Sequence, residues 1–331
     1  MAALAAPAAP AAPAAPAAPT DELIDWYARN ARDLPWRGAD VSPWSVLVSE
    51  IMLQQTPVAR VIPAHASWLA RWPAPAALAA APAAAAIRQW DRLGYPRRAL
   101  RLHAAAGIIA TEHGGQVPAS LPALRALPGV GSYTAAAVAV FAFGQRHAVL
   151  DTNVRRVLAR FTAGVDRPAG SATSAAEVAV ADSLLPAEPA IAARWSIGLM
   201  ELGALVCTAT APRCFGCPVA DGCAWLAAGR PAALVKPPAQ KYDGTDRQCR
   251  GQVLAVLRES AAPVPRVRFD AIWPDPAQLM RALTSLVNDG LAATLPDGSY
   301  VLPLGSTSSS HEARVTKAAK VGGPRPNKWE V

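Results

Sequence analysis

The sequence predicts an all-α fold built around a helix, a glycine hairpin and a second helix, followed by a small α+β module. Three observations carry this. Apolar residues recur at helical spacing from Thr20 to about residue 200, and nothing in that span alternates as a strand would. Leu127-Pro-Gly-Val-Gly-Ser-Tyr133 parts two helical patterns with glycines free to take φ > 0. Four of the five cysteines crowd between Cys207 and Cys223. A chain of 331 residues is long enough for two domains with tails, and its net charge of +8 favours a polyanionic partner.

Residues 1–19 are an uncharged Ala-Pro repeat without a basic start, expected to be a disordered tail rather than a signal peptide. Thr20, Asp21 and Glu22 open the first helix, which ends before Arg32-Asp-Leu-Pro-Trp-Arg37 and leaves two arginines and a tryptophan on a loop. Ser42 and Pro43 are the cap and first residue of the next helix, with Trp44, Leu47, Val48 and Ile51 as its core stripe. Glu50 lies one position off that stripe. It reads either as a solvated carboxylate or as a partly buried one whose raised pKa suits a general acid. Gln54-Gln55-Thr56 end the helix as a frayed terminus or as a probe into something else.

Helical pattern with proline interruptions continues from Ala59 to Ala86, and Gly94-Tyr95-Pro96 then precedes Arg97, Arg98 and Arg101. An aromatic on a turn beside arginines suits base stacking and phosphate pairing, or a packed turn with a basic face. Leu121, Leu124 and Leu127 lead into the hairpin, and Ser132-Tyr133 open a helix too short to cross a membrane. The amides at that helix start form a seat for a phosphate, although a plain helix–turn–helix would look alike. Asp151 precedes the helical run Asn153–Phe161, and its ordinary role is N-cap.

The cysteines are spaced Cys207-x6-Cys214-x2-Cys217-x5-Cys223. Disulfides need an oxidising compartment, and zinc usually takes two Cys-x2-Cys pairs. One pair with two outliers suits an iron–sulfur cube, with zinc left open. The histidines make no metal-ligand pattern.

Together these motifs resemble the helix–hairpin–helix DNA glycosylases of the endonuclease III superfamily with a four-cysteine cluster, and within it the MutY-type adenine glycosylases. The carriers are Arg32–Arg37, Ser49-Glu-Ile-Met-Leu-Gln-Gln-Thr56, Leu93-Gly-Tyr95, Leu127–Gly131, Leu150-Asp-Thr-Asn153, Met200-Glu-Leu-Gly-Ala204 and the cysteines. The resemblance implies a two-lobed glycosylase domain over residues 20–235 with a cluster loop at 207–223. It implies base excision repair of adenine mispaired with 8-oxoguanine or guanine in double-stranded DNA. It also implies a monomeric, cytoplasmic, nucleoid-associated protein of bacterial type.

By the same resemblance Glu50 protonates adenine N7 and Asp151 stabilises the sugar cation, either directly or through a covalent adduct. Tyr133 and Asn153 orient these groups, and Arg32, Leu34, Trp36 and Arg37 line the base pocket. Gln55 and Tyr95 act as wedges, and the backbone of Gly129, Val130 and Gly131 holds a phosphate. A [4Fe–4S] cluster sits on Cys207, Cys214, Cys217 and Cys223 and shapes a basic loop at Arg213. Strand-cleaving relatives carry a lysine nucleophile where Tyr133 stands, so hydrolysis is expected to stop at an abasic site. The alternative is a mismatch thymine or uracil glycosylase of the same superfamily. Glu50 speaks against it, because pyrimidines have no N7.

The chain departs from the family in three places. Pro96 replaces the second aromatic of Gly-Tyr-Tyr, and Ile197 stands where relatives often carry Gln or Glu. After a linker at 236–246, residues 247–303 leave no room for the NUDIX-like domain that reads 8-oxoguanine in MutY enzymes. Instead, a helix over Arg250–Arg258, a helix capped by Asp275, and a hairpin around Pro296-Asp297-Gly298 predict a winged-helix-like module. Residues 304–331 read as a disordered basic tail.

Overall fold

The computed structural model describes residues 20–38, 40–232 and 242–303. Both expected tails (1–19 and 304–331) and positions 236–241 of the expected linker lie outside the described residues. In chain order the helices are α1 (Thr20–Asn30), α2 (Pro43–Leu53), α3 (Val58–Arg71), α4 (Pro75–Ala79), α5 (Ala83–Trp90), α6 (Arg97–Glu112), α7 (Leu121–Ala126) and α8 (Ser132–Phe143). They continue as α9 (Thr152–Ala163), α10 (Ala175–Leu184), α11 (Pro189–Leu205), α12 (Ala224–Ala227), α13 (Asp246–Glu259), α14 (Val267–Asp270) and α15 (Pro276–Asn288). Two short strands, β1 (Ala293–Thr294) and β2 (Tyr300–Val301), complete the described elements. No helix among the described residues is long and apolar enough to cross a membrane. The helical prediction holds, and the strands fall only in the C-terminal region.

The chain forms two compact units, Met1–Pro73 with Thr111–Ala239, and Ala74–Ala110 with Gln240–Val331. The first is built on α2, α8, α9 and α11. Ser42 caps α2 by accepting from the Ser45 amide, and Pro43 occupies its first turn. Every residue from Trp44 to Met52 is buried, so α2 runs through the interior instead of lying on it with one stripe inward. Leu23, Trp26, Val157, Phe161, Trp195, Leu199 and Leu202 join α1, α9 and α11 in one apolar cluster. A Cβ on Gly203 would stand 2.7 Å from Asn153 Cβ, so α11 approaches the start of α9 only because that residue is glycine.

The second unit contains the C-terminal module. Asp275 caps α15 by accepting from the Ala277 and Gln278 amides, with Pro276 in the first turn. Strands β1 and β2 pair antiparallel, Ala293 opposite Val301 and Thr294 opposite Tyr300, around Gly298 at φ +80°. An added bridge between Val264 and Tyr300 gives the helix, helix, helix, hairpin order of a winged helix. Helix α13 starts earlier than the sequence indicated, at Asp246, because Thr245 caps it. The short α14 and the Val264 bridge were not read from the sequence. Cys249, Val253, Leu257, Leu279, Leu283 and Leu286 form one core with Ile87, and Ala84 and Leu100 pack on it. Residues of α5 and α6 thus enlarge the apolar core of this small module.

Candidate active site

Glu50, Tyr133 and Asp151 come together in the first unit. Burial of α2 on all sides places Glu50 deeper than the margin expected of it, at 4 % exposed. Desolvation lifts its pKa from 4.5 to about 7, against the lowering effect of a hydrogen bond with Tyr133. The Asp151 charge raises it further, and the Arg37 charge lowers it. Tyr133 sits in the first turn of α8, and burial followed by the Glu50 and Asp151 charges pushes its phenol well above the ordinary range. A neutral phenol between two carboxyl groups is a donor that does not compete for their protons.

Asp151 is the N-cap of α9 and something more. Its Oδ1 accepts from the Val154 amide at 2.6 Å, and its Oδ2 accepts from Asn153 Nδ2 at 2.8 Å. Burial raises its pKa, and these hydrogen bonds pull it back. Asn153 is in turn held by Arg156 Nη2, which donates to Asn153 Oδ1 at 2.8 Å and to the Gly203 carbonyl at 2.7 Å. Arg156 Nε donates to the Cys207 carbonyl at 2.8 Å. Asp151 therefore connects to the first cysteine through two side chains, although some fifty residues separate them. Sequence reasoning missed Arg156, whose signal is its position three residues after Asn153 on one helix face.

Glu201, within the Met200–Ala204 stretch, organises the α1–α2 loop. Fully buried on α11, it accepts from the Arg32 amide at 2.9 Å and from Arg32 Nε at 2.7 Å. Arg37 Nη1 donates to its other oxygen at 2.9 Å. Burial alone would raise the Glu201 pKa, but the arginines hold it below the ordinary value. Leu34 and Trp36 turn inward, Trp36 meeting His65 edge-on at 5.2 Å. The sequence signal was a carboxylate inside an otherwise apolar helix.

The hairpin follows α7 as expected. Gly129 takes φ +84°, and Val130 is buried. Gly131 starts α8 with no side-chain cap, and a Cβ there would meet nothing within 4 Å. Gln54 Nε2 donates to the Gly129 carbonyl at 3.3 Å and to Thr134 Oγ1 at 3.2 Å, tying α2 to the hairpin. Its neighbour Gln55 is exposed at φ +57°. Tyr95, in the second unit, is also exposed and at φ +48°. Few non-glycine residues adopt this backbone region, and such strain concentrates where side chains must be aimed.

Cys207, Cys214, Cys217 and Cys223 line one cavity with Arg160, Phe161 and Trp225, and no carboxylate or imidazole is among its walls. No three His, Cys, Asp or Glu side chains among the described residues close around a single-ion position. A ring of thiols about a cavity suits a cluster of several atoms better than one zinc ion. Burial, then the Coulombic effect of the other thiols, pushes Cys217 up to about 11, a cost that bound metal would relieve. Arg160 Nη1 donates to Cys207 Sγ at 3.3 Å, its guanidinium 4.4 Å from the Trp225 ring.

Comparison with known proteins agrees with this geometry. Residues 48–177, which hold Glu50, the hairpin and Asp151, match the HhH-GPD superfamily of base excision DNA repair proteins. An adenine DNA glycosylase of Mycolicibacterium smegmatis is 50 % identical over 283 residues, covering 85 % of this chain and 94 % of the relative. One of Mycobacterium tuberculosis is 51 % identical over 283 residues, covering 85 % and 92 %. Among solved structures, a thermostable thymine-DNA glycosylase superposes with a TM-score of 0.57 at 27 % identity, over 63 % of this chain and 95 % of that one. The chain belongs to the adenine DNA glycosylases of the helix–hairpin–helix base excision repair superfamily.

Proposed function

We propose that this protein is a monofunctional glycosylase that excises adenine mispaired with 8-oxoguanine or guanine in duplex DNA. The observation that carries the reading is Glu50, buried and raised to about 7, hydrogen-bonded to Tyr133 and facing the Asp151 charge. A carboxyl group titrating near neutrality is an effective acid toward a weakly basic ring nitrogen, and N7 of the flipped adenine is that nitrogen. Protonation turns adenine into a neutral leaving group. As the glycosidic bond lengthens, positive charge grows on the sugar, and the Asp151 carboxylate stabilises it until water adds at C1′.

Tyr133 and Asn153 keep the two carboxyl groups in place. Arg32 and Arg37, clamped by Glu201, form with Leu34 and Trp36 the walls that receive the base. Gln55 and Tyr95 enter the duplex as wedges, and the hairpin amides at Gly129, Val130 and Gly131 hold a phosphate. Cys207, Cys214, Cys217 and Cys223 would hold a [4Fe–4S] cluster, which when bound fixes the loop carrying Arg213 for backbone contact. The segment 247–303, which shares its core with α5 and α6, faces DNA, in a monomer working in the cytoplasm on the nucleoid.

The test is base release from duplexes holding A opposite 8-oxoguanine, G, C or T, and T or U opposite G, with and without alkali. Adenine loss with strand breakage only after alkali is expected. Thymine or uracil release, or breakage without alkali, would overturn the reading.

A further inference from the structure

Within the second unit, cations and rings alternate across the surface. Trp90, Arg98, Tyr95, Arg247 and Tyr242 follow one another, each guanidinium lying between two rings. Arg98 is 5.1 Å from the Trp90 ring and 5.5 Å from the Tyr95 ring. Arg247 is 5.1 Å from Tyr95 and 5.6 Å from Tyr242. The inner end is locked. Trp90 is buried, and Trp90 Nε1 and Arg98 Nη2 both donate to the Gly94 carbonyl at 2.9 Å. The outer end is open, with Tyr95 at 45 % and Tyr242 at 49 % exposure.

Of the outer members, Arg247 lies on α13 and Tyr242 in the segment just before it. Thr245 Oγ1 donates to the Tyr242 carbonyl at 2.6 Å, and the Gly244 amide donates to Gln248 Oε1 at 2.7 Å. These bonds fasten the turn to α13 and set Tyr242 and Arg247 beside a wedge ring already fixed at positive φ. Both tyrosines stay about half exposed, so this end of the row is open to a ligand. Exposed rings separated by guanidinium groups match the chemistry of an unstacked base, whose face takes a ring and whose edge takes an arginine fork.

We propose that Arg247 and Tyr242 extend the Tyr95 wedge into a binding surface for the purine left unpaired when adenine leaves the helix. This rests on the glycosylase reading above. The ligand is a purine with acceptors on its exposed edge, guanine or its oxidised form. Arg247 meets that edge, and Tyr242 stacks on the base or its neighbour. Arg247 and Tyr242 thereby give the segment at the start of α13 a part in opposite-base recognition.

The experiment uses the full chain and duplexes carrying a tetrahydrofuran abasic analogue opposite 8-oxoguanine, guanine or cytosine. Equilibrium binding is measured for the parent protein, Arg247→Ala, Arg247→Lys, Tyr242→Ala and Tyr242→Phe, with thermal melting as the folding control. Arg247→Ala and Tyr242→Ala are expected to weaken binding opposite the purines on the order of tenfold, and opposite cytosine much less. Tyr242→Phe keeps the affinity, and Arg247→Lys does not restore it, because lysine offers no planar fork. Equal losses opposite all three bases, rescue by lysine, or no loss would overturn the proposal, the first two by reducing Arg247 to a phosphate contact. Adenine release by the parent protein is followed in parallel. If adenine is released but the opposite-base ranking survives both alanine variants, only this inference fails. If no duplex loses adenine, the underlying reading fails.

Discussion

Helices α8 and α9 lie in the same unit and begin in opposite ways. Gly131 opens α8 with no side chain on its amides and open space where a Cβ would point. Asp151 opens α9 and fills its first turn with its own carboxylate. Each start carries the partial positive charge of a helix N-terminus. One leaves it open, as the proposed phosphate seat requires, and the other uses it to hold an internal carboxylate. Buried carboxylates normally protonate, and burial does raise Asp151, but the α9 amides and Asn153 work against that shift. The comparison teaches that capping a helix does not exclude the catalytic role proposed for Asp151. A geometry that satisfies a helix end also opposes the upward shift that burial imposes on a carboxylate.

A large effect is expected at Glu50, whose titration feels the Asp151 charge. Glu50→Gln should lower single-turnover adenine release by about 10²–10⁴-fold while leaving duplex binding nearly unchanged, as loss of a general acid requires. For the unaltered protein, release should fall as pH rises through about 7, where Glu50 loses its proton. A profile flat from pH 6 to 9 would contradict that assignment. Stability follows the same titration. The folded pKa of about 7 is above the ordinary 4.5, so the folded state retains a proton that the unfolded chain releases. This contribution is fully present below about 4.5 and is lost as pH rises to about 7. Glu50→Gln should therefore stabilise the protein at pH 8 by about 3 kcal/mol, read from chemical denaturation, and change little at pH 4.5.

Gly131→Asp would convert the start of α8 into a copy of the start of α9. Duplex affinity should fall on the order of tenfold, because a fixed carboxylate takes the place proposed for phosphate. Stability should change by only a few tenths of a kcal/mol, the usual difference between Gly and Asp as caps. Affinity that survives the substitution would separate the hairpin from DNA binding. A smaller effect is expected at Arg156→Ala, which removes donors from Asn153, Gly203 and Cys207. A loss of about 1–3 kcal/mol is expected in denaturation, with adenine release reduced more than duplex binding.

The parts legible in the sequence were local. Ser42-Pro43, the glycines at 129 and 131, Asp151 and Asp275 announce helix ends by residue type, and the structure uses them as such. The burial of Glu50 was not legible, because a helical wheel assumes a solvent side and α2 has none. Arg156 and Glu201 escaped for a related reason, since their partners lie 47 and 169 residues away. The shared core of the C-terminal module with Ile87 follows from tertiary packing that no turn or cap signals. The cysteine spacing announced a cluster of ligands, whereas the tie from Cys207 to Asp151 through Arg156 needed the fold.

The most direct test of the account is Asp151→Asn, followed in parallel by adenine release at enzyme excess and by duplex binding. Asparagine keeps an oxygen for the Val154 amide, so α9 stays capped and the protein folded, while the negative charge at the sugar disappears. The account predicts binding close to that of the parent protein and no detectable adenine release. Continued turnover by that variant would show that Asp151 is only a cap and that the charge stabilising the sugar cation comes from elsewhere.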